Sequence, residues 1–161
     1  MIDSRLETAT YKDCKAFVPE FTTGKIVKCY DGDSVTIATI YNDELVRFSV
    51  RMLGYDTAEM RSKDETEKRV AKEAQQDIYN KIMGKMVTVI RNDGFDKYGR
   101  LLLELEFEGE SVNTYMKSKW GVSYYGGHKE DVDWGTFPKL VDVWFMIFYS
   151  KLKFTIYKKH A

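Results

Sequence analysis

From Gly24 onward the chain alternates short apolar-rich stretches with turn residues. Lys25–Tyr30, Ser34–Ile40 and Leu45–Leu53 are rich in Val, Ile, Thr, Tyr and Phe, the residues that half-buried pleated strands favour. Asp31-Gly32 separates the first two and Asn42-Asp43 the next two, both dipeptides suited to tight turns, so the pattern predicts a three-strand meander. The period then changes. Val70, Ala71, Ala74, Ile78 and Ile82 recur at helical spacing. Ser62-Lys63-Asp64-Glu65 ahead of them reads as a capping box, with Ser62 as the cap, and Gly84 supplies the stop. Lys85–Arg91 and Leu101–Phe107 return to strand character across a glycine-bearing loop, Asn92–Arg100. Glu108-Gly109 turns the chain into a short helix over Ser111–Lys119, with Val112, Tyr115 and Met116 on one face. Five short strands with a helix between the third and fourth predict an α+β chain: an OB-fold five-stranded β-barrel with about three helices.

The ends differ from this middle. Residues 1–22 are mixed and polar and read as an arm, residues 23–130 as the barrel domain, and residues 131–161 as an apolar extension. Within the extension, Leu140–Tyr157 contains Val143-Trp144-Phe145-Met146-Ile147-Phe148-Tyr149. That run is far shorter than the ~20 residues a membrane span requires. It suits a terminal element packed on the barrel. Alternatively, with Lys151, Lys153, Lys158 and Lys159 flanking its aromatics, it suits a contact with a membrane surface or a protein partner.

Composition removes several classes of function. The formal net charge of the 161 residues is zero, so any attraction to phosphate must be local. Cys14 and Cys29 make no disulfide framework and are expected to be buried or half-buried thiols. With His128 and His160 as the histidines, zinc sites and serine–histidine triads have little support. Met1–Glu7 lacks the apolar core of a signal peptide. The expectation is an intracellular protein, the alternative being export by a leader outside this sequence.

Four stretches carry candidate chemistry. Asp31-Gly32-Asp33-Ser34-Val35 is alone a hairpin turn, and Arg51-Met52-Leu53-Gly54-Tyr55-Asp56-Thr57-Ala58-Glu59 a strand entering an acidic loop. Asp96-Lys97-Tyr98-Gly99-Arg100 is alone a polar turn, and Trp120–Gly127 an aromatic loop. Taken together they supply complementary parts. Asp33 and Asp56 offer the oxygen donors that hard cations such as Ca²⁺ prefer, at positions a barrel can bring together. Glu59, three residues past Asp56, is placed to reach a water near such a cation. Arg51 and Arg100 offer permanently charged forks for phosphoryl oxygens.

In this order the acidic turn, the R-x-x-x-x-D-T-x-E segment and the D-K-Y-G-R loop resemble the staphylococcal nuclease (thermonuclease-like) family, over about residues 24–125. The resemblance implies that Asp33, Asp56 and the backbone carbonyl of Thr57 bind Ca²⁺, with Mg²⁺ or Mn²⁺ as substitutes. It implies that Arg51 and Arg100 grip the phosphate, that Glu59 orients or activates the attacking water, and that Lys97 and Tyr98 contact a neighbouring phosphate. Tyr124 and Tyr125 would stack bases, a sequence-tolerant mode of binding. The implied activity is an endonuclease cleaving DNA and RNA, single strands preferred, with little sequence preference and 3′-phosphate products. The position before Glu59, commonly proline in the family, is Ala58 here. Alanine leaves φ free, so a looser loop and weaker metal binding are expected.

Residues 60–100 hold ten Lys/Arg against seven acids, whereas Glu104, Glu106, Glu108 and Glu110 alternate as a solvated strand face. Binding to nucleic acid is therefore expected to be modest and salt-sensitive. The rival is a non-catalytic OB-fold module that binds nucleic acid or protein, since the fold alone cannot choose between them.

Overall fold

The computed structural model describes residues 2–122 and 132–139. After a short N-terminal helix α1 (Ser4–Glu7) come β1 (Thr23–Cys29), β2 (Ser34–Tyr41) and β3 (Glu44–Met52). Helix α2 (Glu65–Ile82) precedes β4 (Met86–Phe95), β5 (Leu101–Phe107), the two-residue β6 (Glu110–Ser111) and α3 (Val112–Lys119). A 3₁₀ turn over Trp134–Thr136 ends the described elements. The sheet runs β3-β2-β1-β4-β5-β6, and a parallel β3–β5 pairing closes the first five strands into the α+β, OB-fold barrel that the pattern predicts.

Two strand registers place the central arginine of the barrel. In the β2–β3 hairpin Ser34 stands opposite Arg51, and its turn is made by Asn42 and Asp43, both at positive φ (50° and 63°). In the closing pair Val50, Arg51 and Met52 stand beside Leu101, Leu102 and Leu103. Arg51 therefore lies between the turn before β2 and the loop before β5.

The core follows from simple periodicity. Leu101, Leu103 and Leu105 alternate inward along β5, and Ile26, Val35, Ile37, Val50 and Met52 complete the barrel interior. Helix α2 buries Val70, Ala71, Ala74, Ile78 and Ile82 as one stripe. Its start differs from the expected box. Asp64 is the cap, accepting from the Thr66 amide at 2.8 Å, while the Ser62 hydroxyl accepts from the Asp64 amide at 3.1 Å. Aspartate two residues later is an equally good cap, and it wins because Ser62 is engaged in the preceding turn.

Polar cross-links tie α3 to the barrel and α2 to α3. Asn113 is buried on α3. Its amide donates to the carbonyls of Leu53 (3.1 Å) and Leu103 (3.0 Å) and accepts from the Leu105 amide (3.0 Å). Asp77 on α2 receives the Trp120 indole N–H at 2.6 Å, the Tyr115 hydroxyl at 3.0 Å and the Lys119 ammonium at 2.8 Å. Burial works to raise its pKa, but Lys119, Trp120 and Tyr115 outweigh it and hold the carboxyl below its ordinary value. A depressed carboxylate stabilises the fold above its unfolded pKa, and that contribution is lost as pH falls through the lower folded value. Asp77→Asn is therefore expected to lose about 1–3 kcal/mol at pH 7. The deficit should shrink in urea titrations repeated below about pH 4.

The segment after α3 contributes to this core. Trp134 and Phe137 are buried in it, their ring centroids 5.0 Å apart, and the Lys139 amide donates to the Lys119 carbonyl at 2.9 Å. The end of the arm also touches the barrel: Phe21 stacks on Phe48, and the Pro19 carbonyl accepts from the Asn92 amide group at 2.9 Å. Cys29 is buried, which pushes its thiol up to about 11, whereas Cys14 is exposed rather than buried or half-buried. Among the described residues no helix is long and apolar enough to cross a membrane. The run Leu140–Tyr157, with its expected packing or membrane contact, lies outside the described residues.

Candidate active site

The turn between β1 and β2 carries the first acid. Its tightness depends on Gly32. A Cβ there would lie 2.9 Å from both the Ala74 Cβ and the Thr57 Cγ2, so helix α2 and the 57 loop close on bare backbone. The Gly32 carbonyl accepts from the Tyr55 hydroxyl at 2.9 Å. Tyr55 is fully buried, and burial together with the nearby Asp33 raises the phenol well above its ordinary value, so it stays a donor. Gly32→Ala is expected to cost about 1–3 kcal/mol through overpacking and to displace Thr57. Thermal unfolding of the variant, read beside its activity, checks both effects.

Asp33 emerges from this turn almost wholly buried, its side chain 4% exposed. Its Oδ2 accepts from the Thr57 amide at 3.0 Å, the Thr57 hydroxyl at 3.2 Å and Arg51 at 2.6 Å. Its Oδ1 accepts from the Ser34 hydroxyl at 3.0 Å. Burial pushes the Asp33 carboxyl up from its ordinary value against the pull of Arg51.

Arg51 is the centre of the arrangement. One terminal nitrogen pairs with Asp33 and the other with Asp56 Oδ1, each at 2.6 Å, and the second also donates to the Tyr55 carbonyl at 3.3 Å. Burial works against its charge, but Asp33 and Asp56 prevail and hold the guanidinium pKa above its ordinary value. Two acids 23 residues apart in sequence thus share one guanidinium. Asp56 is held from the other side by a bridge to Val122, through bonds of 3.0 and 2.9 Å.

Arg100 approaches from the opposite wall. Its Nε pairs with Asp96 Oδ2 at 2.8 Å, and one terminal nitrogen reaches the Ser34 hydroxyl at 3.5 Å. Asp96 opens the D-K-Y-G-R loop with no role of its own expected from the sequence, yet it organises the loop. Its Oδ1 accepts from the amides of Tyr98 (2.8 Å) and Arg100 (2.9 Å). Burial alone would raise the Asp96 carboxyl, but these amides and the Arg100 guanidinium hold it below its ordinary value. The Tyr98 ring is exposed, with Lys97 Nζ 5.0 Å and the Arg100 guanidinium carbon 5.5 Å from its centroid.

Asp33, Arg51, Asp56, Thr57, Glu59, Lys97, Tyr98 and Arg100 line one cleft of about 750 Å³ at the mouth of the barrel. Tyr124 and Tyr125 lie outside the described residues. Among the described residues no three His, Cys, Asp or Glu side chains gather as a metal-binding group.

Residues 49–125 match the family model of the staphylococcal nuclease homologues. The chain carries a staphylococcal nuclease-like domain. Families of this kind are generally nuclease hydrolases that bind nucleic acid. The first acidic turn precedes the matched segment, and the structure ties it in through Asp33, which is bonded to both Arg51 and Thr57. The chain is also 32% identical over 109 residues to an uncharacterized protein of Bacillus anthracis, a stretch covering 66% of this chain and 49% of that relative. The chain therefore spans about half the length of the curated relative it matches.

Proposed function

We propose that this nuclease-like domain is a Ca²⁺-dependent endonuclease. It hydrolyses DNA and RNA phosphodiesters, single strands preferred, with little sequence specificity, and leaves 3′-phosphate ends. The observation that carries the reading is the pair of acids spanned by Arg51 at 2.6 Å on each side, with Arg100 on the facing wall of the same cleft. A module that only bound nucleic acid would have no use for two carboxylates in the cleft, Asp33 buried and Asp56 half-buried, since they repel phosphate.

The residues fit a hard divalent ion. Asp33, Asp56 and the Thr57 carbonyl would hold it through oxygen alone, waters completing the six to eight ligands that calcium takes. When bound, the ion would supply positive charge against the phosphoryl oxygens. The chain's own groups do the rest. Arg100, its plane set by Asp96, donates from its remaining nitrogens to the phosphoryl group as negative charge builds there. Arg51 holds the acids in register and adds a second cation. Glu59 lines the cleft and takes a proton from the attacking water, or orients it. Lys97 and Tyr98, on the exposed lip, meet the next phosphate along the strand. Water attack with departure of the 5′ oxygen of the following nucleotide leaves the phosphate on the 3′ side.

The full chain, incubated with single-stranded DNA or RNA oligonucleotides and Ca²⁺, is expected to give fragments ending in 3′-phosphate and 5′-hydroxyl, and none with chelator. Fragments that form equally in chelator, or that carry 5′-phosphate, would refute this chemistry.

A further inference from the structure

We propose that Glu67 is a positioning residue for Glu59: its carboxylate, in the first turn of α2, holds Glu59 at the cleft through a bond to the Glu59 backbone. This role rests on the nuclease reading of the same cleft.

The Glu59 amide donates to Glu67 Oε1 at 3.0 Å. A glutamate three residues into a helix ordinarily bonds back to the amide of its own cap. Here that amide, Asp64's, is already held by the Ser62 hydroxyl at 3.1 Å, so Glu67 is released to reach eight residues upstream. The intervening loop is closed by further bonds. The Ser62 amide donates to the Glu59 carbonyl at 3.1 Å, and the Thr66 amide to Asp64 at 2.8 Å. A continuous set of bonds therefore runs from the helix start to the backbone of Glu59.

The other flank is fixed independently. The Thr57 amide and hydroxyl both bond Asp33 Oδ2. Between the two anchors lies Ala58, 3% exposed, whose methyl joins the core but which leaves φ unrestricted. The chain is thus pinned to an acid of the site at residue 57 and to α2 at residue 59. Without the second anchor, the Glu59 amide would lose its tie to α2, while its carbonyl would keep the turn bond from the Ser62 amide. Displacements near 1 Å in such a group are costly to turnover and cheap in stability.

Three readouts test this. In Glu67→Ala, kcat on single-stranded DNA with Ca²⁺ is expected to fall about 10- to 100-fold with KM little changed. Glu67→Gln, which keeps an acceptor oxygen, recovers most of it. In a Glu59→Ala background, adding Glu67→Ala is expected to cost little more, because the two act as one unit. In the metal-free protein, hydrogen exchange of the Glu59 amide is expected to quicken about tenfold or more in Glu67→Ala. Alanine is a good helix former, so α2 is retained. An unchanged Glu59 amide in Glu67→Ala would overturn the tether while leaving parental turnover intact. An equal loss of kcat with and without the Glu59 side chain would reduce Glu67 to general support of the fold. A parent with no turnover would instead defeat the nuclease reading, and this inference with it.

Discussion

Arg100→Lys is expected to lower turnover on single-stranded DNA by about 10²–10³-fold, nearly as far as Arg100→Ala. The reason is geometric. Arg100 is fixed twice by Asp96, through its amide at 2.9 Å and through Nε at 2.8 Å, which sets the guanidinium plane at the cleft, with one terminal nitrogen 3.5 Å from the Ser34 hydroxyl. A lysine keeps the charge but has neither the fork nor the Nε anchor. The interaction is made chiefly in the transition state, so kcat and kcat/KM should fall together while KM moves little. The side chain is 31% exposed, so the unfolding midpoint should stay close to the parent's. A variant whose loss appears wholly in KM would mean that Arg100 holds substrate and transition state alike.

Arg51→Ala is expected to fail differently, by destabilising the fold. It removes the guanidinium shared by a carboxylate 4% exposed and another 14% exposed. Breaking a buried ion pair from one side costs about 3–5 kcal/mol, because a charge is left behind without its partner. Urea unfolding measures this directly. Arg51→Lys should recover only part, since one ammonium cannot engage both acids as the two nitrogens do. Replacing Asp33 by Asn in the Arg51→Ala background removes the stranded charge. It is expected to return part of the lost stability while leaving the protein inactive. Equal stability of parent and Arg51→Ala would mean that the bridge seen between the acids contributes nothing to the fold.

Different parts of this arrangement were legible to different degrees. Strand β5 has the bounds its alternation predicts, Leu101–Phe107, because three leucines face in and glutamates face out. Strand β4 runs past its predicted end at Arg91 to Phe95. Asn92-Asp93-Gly94 has turn composition, but Asn92 still pairs with Leu103, the irregularity is absorbed before Phe95, and Gly94 takes φ 84°. The aromatic stretch around Trp134 has no helical or strand period, so its place in the core depends on tertiary packing against α2 that no local pattern announces.

The acids and arginines were readable as a set because their residue types are those that phosphoryl chemistry needs. Their supports were not. Asp96 looks like one more polar residue of a turn until its bonds to two amides and a guanidinium are seen. Glu67 is one charge among many at a helix start, and its reach to Glu59 depends on Ser62 having already taken the amide that a capping box would use. The double pairing of Arg51 depends on the β3–β5 closure, a contact between segments about 50 residues apart.

The most direct test of a metal-dependent site built on Asp33 is hydrolysis of single-stranded DNA and RNA by the full chain across Ca²⁺, Mg²⁺, Mn²⁺ and chelator, beside Asp33→Ala. Cleavage of both polymers with Ca²⁺, abolished by chelator and by Asp33→Ala, is the expected result. Both polymers left whole by the parent protein in all three metals would contradict it.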